Sequence, residues 1–274
     1  MRIGVRAHDF GRHSPKQLAQ ILTDAGYNAA QIVMPKVFDG IENYRDITHA
    51  QLSEIREALH EADLQISVLG CYMDLSHPNE SIRMEAIENI KRCLRYAKEL
   101  GAVAVASETS YEHLSKEEKR VRRQDMIDSI QRIVCCAEEE CIDFAIEPVE
   151  WHPLDSIEEV QTVLRAVNYS SRLKVLFDAA NVITPSEIKK QDEVWKAWLT
   201  AFGDRMIALH IKDFVWDEKG VYCPTALGAG VMDYSVISQW IQTKPDGMPL
   251  IREETIHECV LEDLAYLKKL TGND

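Results

Sequence analysis

The sequence predicts a (β/α)8 barrel that occupies residues 1–274 as a single domain. Two observations lead to this prediction. Short apolar runs alternate with amphipathic segments of helical spacing along the whole chain, and no linker of different composition interrupts them. Strands that alternate with helices pair in parallel through βαβ crossovers. Eight strand-helix units in about 250 residues match a closed barrel, and a doubly wound open sheet is the alternative.

Each predicted strand is a short run dominated by apolar residues, as expected for a strand in a buried parallel sheet. These runs cover residues 3–5, 29–34, 65–70, 102–107, 142–147, 172–178, 206–213 and 249–254. The segments between them place apolar residues three and four positions apart, which is typical of one helix face. They cover residues 14–26, a region around 52–59, and residues 81–101, 116–139, 156–167, 186–202, 233–242 and 257–270.

Local start and stop signals support several of the predicted helices. Ser14 is a typical N-cap residue, Pro15 suits the first helical position and Gly26 suits the stop. Ser156 and Glu159 have the spacing of a capping box. Asp233 is expected to cap a short helix near the end of the chain.

Composition and charge exclude several classes of protein. The formal net charge of -14 disfavours binding to nucleic acid, because such a surface repels phosphate backbones. The seven cysteines contain no C-x-x-C pair, which indicates reduced thiols in a cytoplasmic protein. Neither a signal peptide nor a membrane-spanning run is predicted. The sequence leaves open whether the chain forms a homo-oligomer.

Polar residues follow the predicted strands at the point where each apolar run ends. In (β/α)8 barrels this end of the strands carries the chemistry. The residues at these positions are His8, Asp9, Cys71, Glu108, Glu147, Glu150, His152, Asp178, Asn181, His210, Lys212, Arg252, Glu253 and Glu254.

Strands five to eight end in Glu147, Asp178, His210 and a glutamate near position 253. Each residue alone is more often a solvated or structural group than a ligand, but four of them at equivalent positions are hard to obtain by chance. Converging carboxylates repel one another unless a cation neutralises them. Oxygen ligands with one imidazole suit Mn, Mg or Co, and Zn also fits. We therefore predict a divalent metal site.

The motifs around these residues resemble those of the xylose isomerase-like barrel superfamily of sugar phosphate isomerases and epimerases. The resemblance covers nearly the whole chain, and its strongest carriers are H-x-K-D at 210–213 and G-x-G-x-x-D-Y at 228–234. It implies that Glu147, Asp178, His210 and a strand-8 glutamate bind the metal. In the ketose 3-epimerases of this superfamily the first and last of these glutamates also move the proton. The chain departs from many members at Asn181, where they carry histidine.

Two glutamates compete for the ligand position on strand 8. Side chains alternate across a strand, so Glu253 and Glu254 cannot both face the interior of the barrel. The apolar-apolar-Arg-Glu pattern resembles the family ligand at Glu253, which we therefore choose. If Glu254 pointed inward instead, Arg252 would join it, and Arg252 is retained as a candidate substrate contact.

These observations together predict a metal-dependent isomerase or epimerase acting on a sugar or sugar phosphate. Glu147 and Glu253 are expected to exchange a proton with the carbon beside a carbonyl, through an enediolate. A 1,2-hydride shift is the other route. Lys212 either binds substrate or pairs with Glu253 or Asp213. The full set of candidate substrate contacts is His8, Glu108, Glu150, His152, Asn181, Lys212 and Arg252.

The same residues are compatible with other functions. A polyol dehydratase would use a similar metal, and a sugar-binding barrel without turnover would keep the same residues. An endonuclease of the same superfamily is disfavoured by the charge and the few histidines. Gly228 and Gly230 either leave a backbone surface for a substrate phosphate or serve a tight turn.

Overall fold

Parallel strands close into a barrel in the computed structural model, which describes residues 2–244 and 247–272. Over those residues the barrel contains eight strands. They are β1 (Ile3–Arg6), β2 (Ala29–Ile32), β3 (Gln65–Gly70), β4 (Ala104–Ser107), β5 (Asp143–Ile146), β6 (Leu173–Asp178), β7 (Met206–Ile211) and, after a hairpin described below, β10 (Leu250–Arg252). The predicted domain limits, residues 1 and 274, lie outside the described residues.

Closure of the barrel depends on the pairing of the first and last barrel strands. Ile3 is in register with Leu250, and Val5 with Arg252. On its other side β10 pairs with β7, so that the strand order is β1-β2-β3-β4-β5-β6-β7-β10. The (β/α)8 prediction is therefore confirmed, and the open sheet is excluded.

Helices surround the barrel. They are α1 (Pro15–Asp24), α2 (Met34–Val37), α3 (His49–Glu61), α4 (Glu80–Leu100), α5 (Lys116–Glu140), α6 (Ile157–Ala166), α7 (Ala179–Val182), α8 (Gln191–Phe202), α9 (Ser235–Ile241) and α10 (Val260–Leu270). The short helices α2 and α7 were missed from the sequence, because a single turn is too short to show helical periodicity. Helix α8 begins later than predicted, after a 3-10 turn at Ile188–Lys190.

The capping predictions hold in part. Ser14 and Gln17 form a reciprocal capping box at α1, with Pro15 in the first turn. The side chain of Ser156 accepts a hydrogen bond from the backbone N–H of Glu159, as predicted. The carboxylate of Glu159, however, binds Arg123 of α5 at 2.6 Å. A capping box also needs a hydrogen bond from the backbone N–H of Ser156 to the Glu159 carboxylate. The ion pair with Arg123 takes the place of that bond.

The barrel encloses its own small apolar core. One residue from each of six strands forms a cluster separate from the larger core between strands and helices. The cluster consists of Val68, Ala106, Ala145, Leu176, Ala208 and Ile251. Side chains alternate along a strand, so the residue two positions after each of these faces inward as well, nearer the carboxyl end of the barrel.

An antiparallel hairpin interrupts the strand-helix alternation after β7. It consists of β8 (Asp213–Trp216) and β9 (Tyr222–Thr225), in register from Asp213–Thr225 to Trp216–Tyr222. The sequence pattern did not predict this hairpin. The hairpin stands beside the carboxyl end of β7, and Phe214, Trp216 and Tyr222 contribute to the wall of the cavity there. Across the described part of the chain, no helix is long and apolar enough to span a membrane.

Candidate metal and substrate site

Strand alternation brings the predicted ligands to one end of the barrel. Glu147, Asp178, His210 and Glu253 each lie two residues beyond a member of the inner core: Ala145, Leu176, Ala208 and Ile251. All four are buried, with exposures between 0% and 6%. We call these four residues the strand-end cluster.

Distances within the strand-end cluster are those of groups around a common centre. His210 Nδ1 lies 3.3 Å from Glu147 Oε1, 3.4 Å from Glu253 Oε1 and 3.8 Å from Asp178 Oδ2. Ligand atoms of Glu147, Asp178 and His210 all lie within 4.8 Å of one another. These three residues therefore could hold a metal ion, and Glu253 stands beside them.

Unsatisfied atoms support this fit. Among the described residues, Glu147 Oε2, Asp178 Oδ2 and His210 Nδ1 are buried and find no hydrogen-bond partner. Asp178 Oδ2 does form an ion pair with Lys212, but without hydrogen-bond geometry. Buried polar atoms are nearly always paired. One unsatisfied atom on each of three neighbouring strands is the pattern that a shared cation would complete.

Electrostatics in the strand-end cluster favour protonated histidine when no cation is bound. Burial alone would lower the pKa of His210. The negative charges of Glu253, Glu147 and Asp178 outweigh this effect and raise the pKa to about 9. Burial raises the pKa of Asp178 to about 6, against the opposing effect of Lys212. Burial would also raise the pKa of Glu253, but His210, Lys212 and Arg6 lower it to about 2.

Lys212 faces the same cavity as His210, because it lies two residues further along. Its Nζ is 2.9 Å from Asp178 Oδ2, 2.9 Å from Asn181 Oδ1 and 3.6 Å from Glu253 Oε2. Asn181 in turn donates from Nδ2 to Glu147 Oε1 at 2.9 Å. An ammonium and an amide thus connect three of the carboxylates.

Gln31 belongs to the site and was missed from the sequence. It is buried on β2, its Oε1 lies 2.6 Å from His210 Nε2, and its Nε2 donates to Glu253 Oε1 at 3.3 Å. The one available signal was a glutamine inside the apolar run AAQIVM. A polar side chain in a buried strand needs a partner, and here that partner is His210.

Two further residues of the cavity wall were missed. Arg6, at the end of β1, binds Asp9 at 2.8 Å and lies 3.8 Å from Glu253 Oε2. Tyr72 follows β3, and burial raises the pKa of its hydroxyl well above its usual range. Both lie in segments where the sequence shows no motif, so only the closure of the barrel brings them to the site.

The other predicted substrate contacts divide into two groups. His8, Glu108 and Glu150 line the same cavity as Lys212 and Asn181. His152 does not line it: only 2% exposed, it lies behind Glu108, with Nδ1 3.7 Å from Glu108 Oε2. Burial lowers the pKa of His152 to about 4 and raises the pKa of Glu108 to about 8.

Arg252 does not fit its predicted role as a substrate contact. It lies on the outer side of β10, fully buried, and its Nε binds Asp263 Oδ2 of α10 at 2.6 Å. It also donates to the backbone oxygens of Glu253 and Thr225. The physical reason is strand alternation: since Glu253 faces the cavity, Arg252 must face the helices.

Glu254 stands outside the strand-end cluster, at the mouth of the cavity. Its φ is 55°, a left-handed conformation that bends the chain away at the end of β10. Its carboxylate accepts a hydrogen bond from Tyr222 of the hairpin at 2.5 Å. The structure thus separates the positions of the two glutamates that the sequence left in competition.

The glycines of the loop after β9 serve a turn. The backbone N–H groups of Gly228 and Gly230 both donate to Asp213 Oδ2, at 3.0 and 2.9 Å. A Cβ at Gly230 would come within 2.1 Å of Asp213 Oδ1. These donors are therefore directed at a buried carboxylate, and neither glycine lines the cavity described here.

The cavity above the strand-end cluster has a volume of about 700 Å³. Polar groups form its floor and aromatic rings form much of its wall, which is typical of a small-molecule site. Trp151 of the β5–α6 loop stacks on His113, with ring centroids 4.7 Å apart. The wall also includes Tyr72, Tyr111, Phe214, Trp216 and Tyr222.

A family model described as xylose isomerase-like TIM barrel matches residues 19–270. The chain belongs to this family. The match covers Glu147, Asp178, His210 and Glu253, and it confirms the resemblance seen in the sequence motifs. Among curated proteins, none matches the sequence significantly.

Solved structures with the same fold include two sugar epimerases. The 3-keto-D-glucoside 4-epimerase of E. coli is 14% identical, with a TM-score of 0.74 over 98% of this chain and 99% of that one. The D-psicose 3-epimerase of Clostridium cellulolyticum H10 is 15% identical, with a TM-score of 0.74 over 100% and 99%. A xylose isomerase-like protein of Mycobacterium smegmatis, determined in complex with magnesium, is 15% identical, with a TM-score of 0.73 over 99% and 97%.

Proposed function

We propose that this protein is a divalent-metal-dependent isomerase or epimerase of a ketose or a related sugar derivative. The observation that carries the proposal is the strand-end cluster. Two glutamates lie within 3.4 Å of His210 Nδ1 and Asp178 lies at 3.8 Å, next to a cavity that Glu253 and Lys212 line. The epimerases among the structures of similar fold support the choice of substrate class. The magnesium complex of the M. smegmatis protein supports the metal.

Glu147, Asp178 and His210 would hold the cation, with Glu253 as the fourth ligand. Bound there, a divalent ion supplies a Lewis acid that polarises a substrate carbonyl and makes the adjacent C–H more acidic. Carboxylate oxygens with one imidazole suit Mn, Mg or Co, and Zn also fits this set.

The two glutamates then carry the proton. One carboxylate removes the proton from the carbon beside the carbonyl, which leaves an enediolate, and the other delivers a proton to the opposite face of that carbon. Proton transfer by positioned carboxylates of this kind contributes about 10²- to 10⁴-fold to a rate. Lys212 and Asn181 hold these carboxylates in place through contacts of 2.9 to 3.6 Å. Together with His8, Glu108 and Glu150 they also border the space for sugar hydroxyls.

The test is a sugar screen with metal-stripped protein, before and after addition of Mn, Mg, Co or Zn. D-fructose, D-tagatose, D-psicose and their phosphates are incubated in D2O and followed by NMR. We expect metal-dependent conversion with deuterium incorporated at the reacting carbon. Conversion without deuterium would indicate the 1,2-hydride shift instead. A wild-type protein that binds none of the four metals would contradict the proposal.

Two variants test the acid-base assignment. Glu147→Gln and Glu253→Gln should each lower kcat by about 10²- to 10⁴-fold, in samples whose metal content is measured. Glu61→Gln is the matched control, because Glu61 is an exposed residue of α3. Normal turnover by a metal-loaded Glu147→Gln protein would show that Glu147 does not move the proton.

A dehydratase is the second candidate, and the observation that favours it is Glu108. This carboxyl lines the cavity, and burial, Glu147 and Glu253 raise its pKa to about 8. A carboxyl that is protonated at neutral pH can deliver a proton to a departing hydroxyl. The same screen distinguishes the two reactions, because a dehydrated product is lighter by one water whereas an isomer has an unchanged mass.

A further inference from the structure

A buried hydroxyl without a partner stands in the wall of the cavity. Tyr72 lies two residues beyond β3, and its ring lines the cavity together with Glu253 and Glu108. Within residues 2–244 and 247–272, its Oη finds no hydrogen-bond partner although the atom is buried. Buried tyrosine hydroxyls usually have a partner. The partner is therefore expected to be a molecule that enters the cavity.

Packing of the ring and a hydrogen bond to the backbone restrict the position of Tyr72. The ring lies so close to Gly70 that a Cβ there would come within 2.7 Å of Tyr72 Cε2 and 2.8 Å of Val33 Cγ2. The hydroxyl of Tyr111 donates to the backbone oxygen of Tyr72 at 2.7 Å, which fixes the chain at this residue. A ring fixed in this way presents its hydroxyl at a defined point, which lowers the entropic cost of binding a ligand.

The nearby carboxylates do not take up this hydroxyl. Tyr72 lines the same cavity as Glu108 and Glu253, and burial together with the charges of Glu147, Glu253 and Glu108 raises the pKa of its hydroxyl. Glu147 instead accepts from Asn181, and Glu253 from Gln31. Among the described residues the O–H of Tyr72 is thus a donor without an acceptor, in the wall of the cavity where the proposed reaction takes place.

We propose that Tyr72 is a substrate-binding residue whose hydroxyl donates a hydrogen bond to a sugar oxygen on or next to the carbon that Glu147 and Glu253 deprotonate and reprotonate. This inference rests on the proposed function and adds one requirement to it. The substrate must carry an oxygen at that position, so a deoxy analogue lacking it loses the contact with Tyr72.

Tyr72→Phe tests the proposal, because it keeps the ring against Gly70 and removes the hydroxyl alone. D-fructose and D-tagatose are the probes. Their dissociation constants are measured by calorimetry with Mn-loaded and with metal-stripped protein, and kcat and KM are measured alongside. We expect about tenfold weaker binding of the sugar, the usual effect of one lost hydrogen bond. Metal stoichiometry and melting temperature should stay at the wild-type values.

Tyr169→Phe is the matched control, since it removes the same group from an exposed side chain remote from the cavity. A second comparison uses ketoses that lack one hydroxyl each. The analogue that lacks the oxygen bound by Tyr72 should bind wild type and Tyr72→Phe equally, whereas the others should still distinguish the two proteins. Gly70→Ala, which presses on the ring but keeps the hydroxyl, should also weaken sugar binding.

Two failures can be told apart. If wild type binds and converts the ketoses but Tyr72→Phe matches it in dissociation constant and kcat/KM, the role of Tyr72 is wrong and the proposed function stands. If Mn-loaded wild type neither binds nor converts any ketose, the proposed function fails and the role of Tyr72 fails with it. Should Tyr72→Phe not fold, unchanged sugar binding by Gly70→Ala overturns the inference.

Discussion

His210 Nε2 lies 2.6 Å from Gln31 Oε1, and this contact decides which side of the imidazole faces the carboxylates. With the amide oxygen as acceptor, Nε2 carries a proton and donates it. The neutral ring then has its lone pair on Nδ1, the atom that lies within 4 Å of Glu147, Asp178 and Glu253. A partner that fixes the tautomer of a histidine is typical of metal sites.

Replacing Gln31 should therefore weaken metal binding although Gln31 is not itself a predicted ligand. We expect Gln31→Leu to lower Mn affinity by about 10- to 100-fold, as is usual when such a supporting contact is lost. The measurement is a titration of metal-stripped protein followed by electron paramagnetic resonance. Gln20→Leu, on the exposed face of α1, is the control. Equal Mn affinity in Gln31→Leu and wild type would show that the contact does not orient the ring.

Metal binding should release protons at neutral pH. The pKa of His210 is raised to about 9 by its carboxylate neighbours, so the metal-free ring is charged at pH 7 and must lose a proton before Nδ1 can bind a cation. Apparent affinity should therefore rise with pH and level off above about pH 9. Below about pH 6, protonation of Asp178 should steepen the dependence.

Calorimetry in two buffers of different ionisation enthalpy measures this release. At pH 7 we expect about one proton per metal ion bound. A buffer-independent enthalpy would contradict the prediction, because it would mean that His210 is already neutral in the metal-free protein.

Lys212 should stabilise the metal-free protein more than the metal-bound one. Its ammonium lies 2.9 Å from Asp178 and 3.6 Å from Glu253, and all three groups are buried. Removing one partner of a buried ion pair costs about 3–5 kcal/mol. We expect Lys212→Met to lower the free energy of unfolding of metal-stripped protein by that amount, and added Mn to recover part of it.

Denaturant unfolding with and without Mn measures both effects. Lys174→Met is the control, since Lys174 pairs with Asp143 at 3.8 Å in a partly exposed position, where a pair contributes no more than about 1 kcal/mol. A Lys212→Met protein that is as stable as wild type without metal would show that the ammonium does not neutralise the strand-end cluster.

Arg252 should matter for stability and not for catalysis. Arg252 and Asp263 are both fully buried and bind at 2.6 Å, and Asp263 also accepts from the backbone N–H of Leu227. Arg252→Met should lower the free energy of unfolding by about 3–5 kcal/mol. Metal stoichiometry and KM should remain those of wild type at temperatures where the variant is folded.

Arg165→Met, an exposed variant on α6, controls for the loss of an arginine at the surface. A large rise in KM for Arg252→Met with unchanged stability would return Arg252 to the substrate site. That outcome would also imply that β10 alternates in the opposite sense, with Glu254 in place of Glu253 at the cluster.

The barrel and most of its cluster could be predicted because both depend on local regularities. Apolar runs of strand length alternate with helical segments throughout, and Glu147, Asp178 and His210 each end such a run. The hairpin Asp213–Thr225 escaped prediction because β8 begins at Asp213, only two residues after β7 ends, so its first residue falls within the single strand predicted at 206–213.

Sequence alone thus determined the strand-helix order, the family motifs and the positions of Glu147, Asp178, His210 and Glu253, since each is encoded within a few neighbouring residues. Tertiary structure decided the rest. Closure between β1 and β10 brings Gln31 to His210 across 179 positions of the chain, directs Arg252 to the helices, and leaves the hydroxyl of Tyr72 in the cavity. These outcomes depend on which side chains meet once the barrel closes, and no local pattern records that.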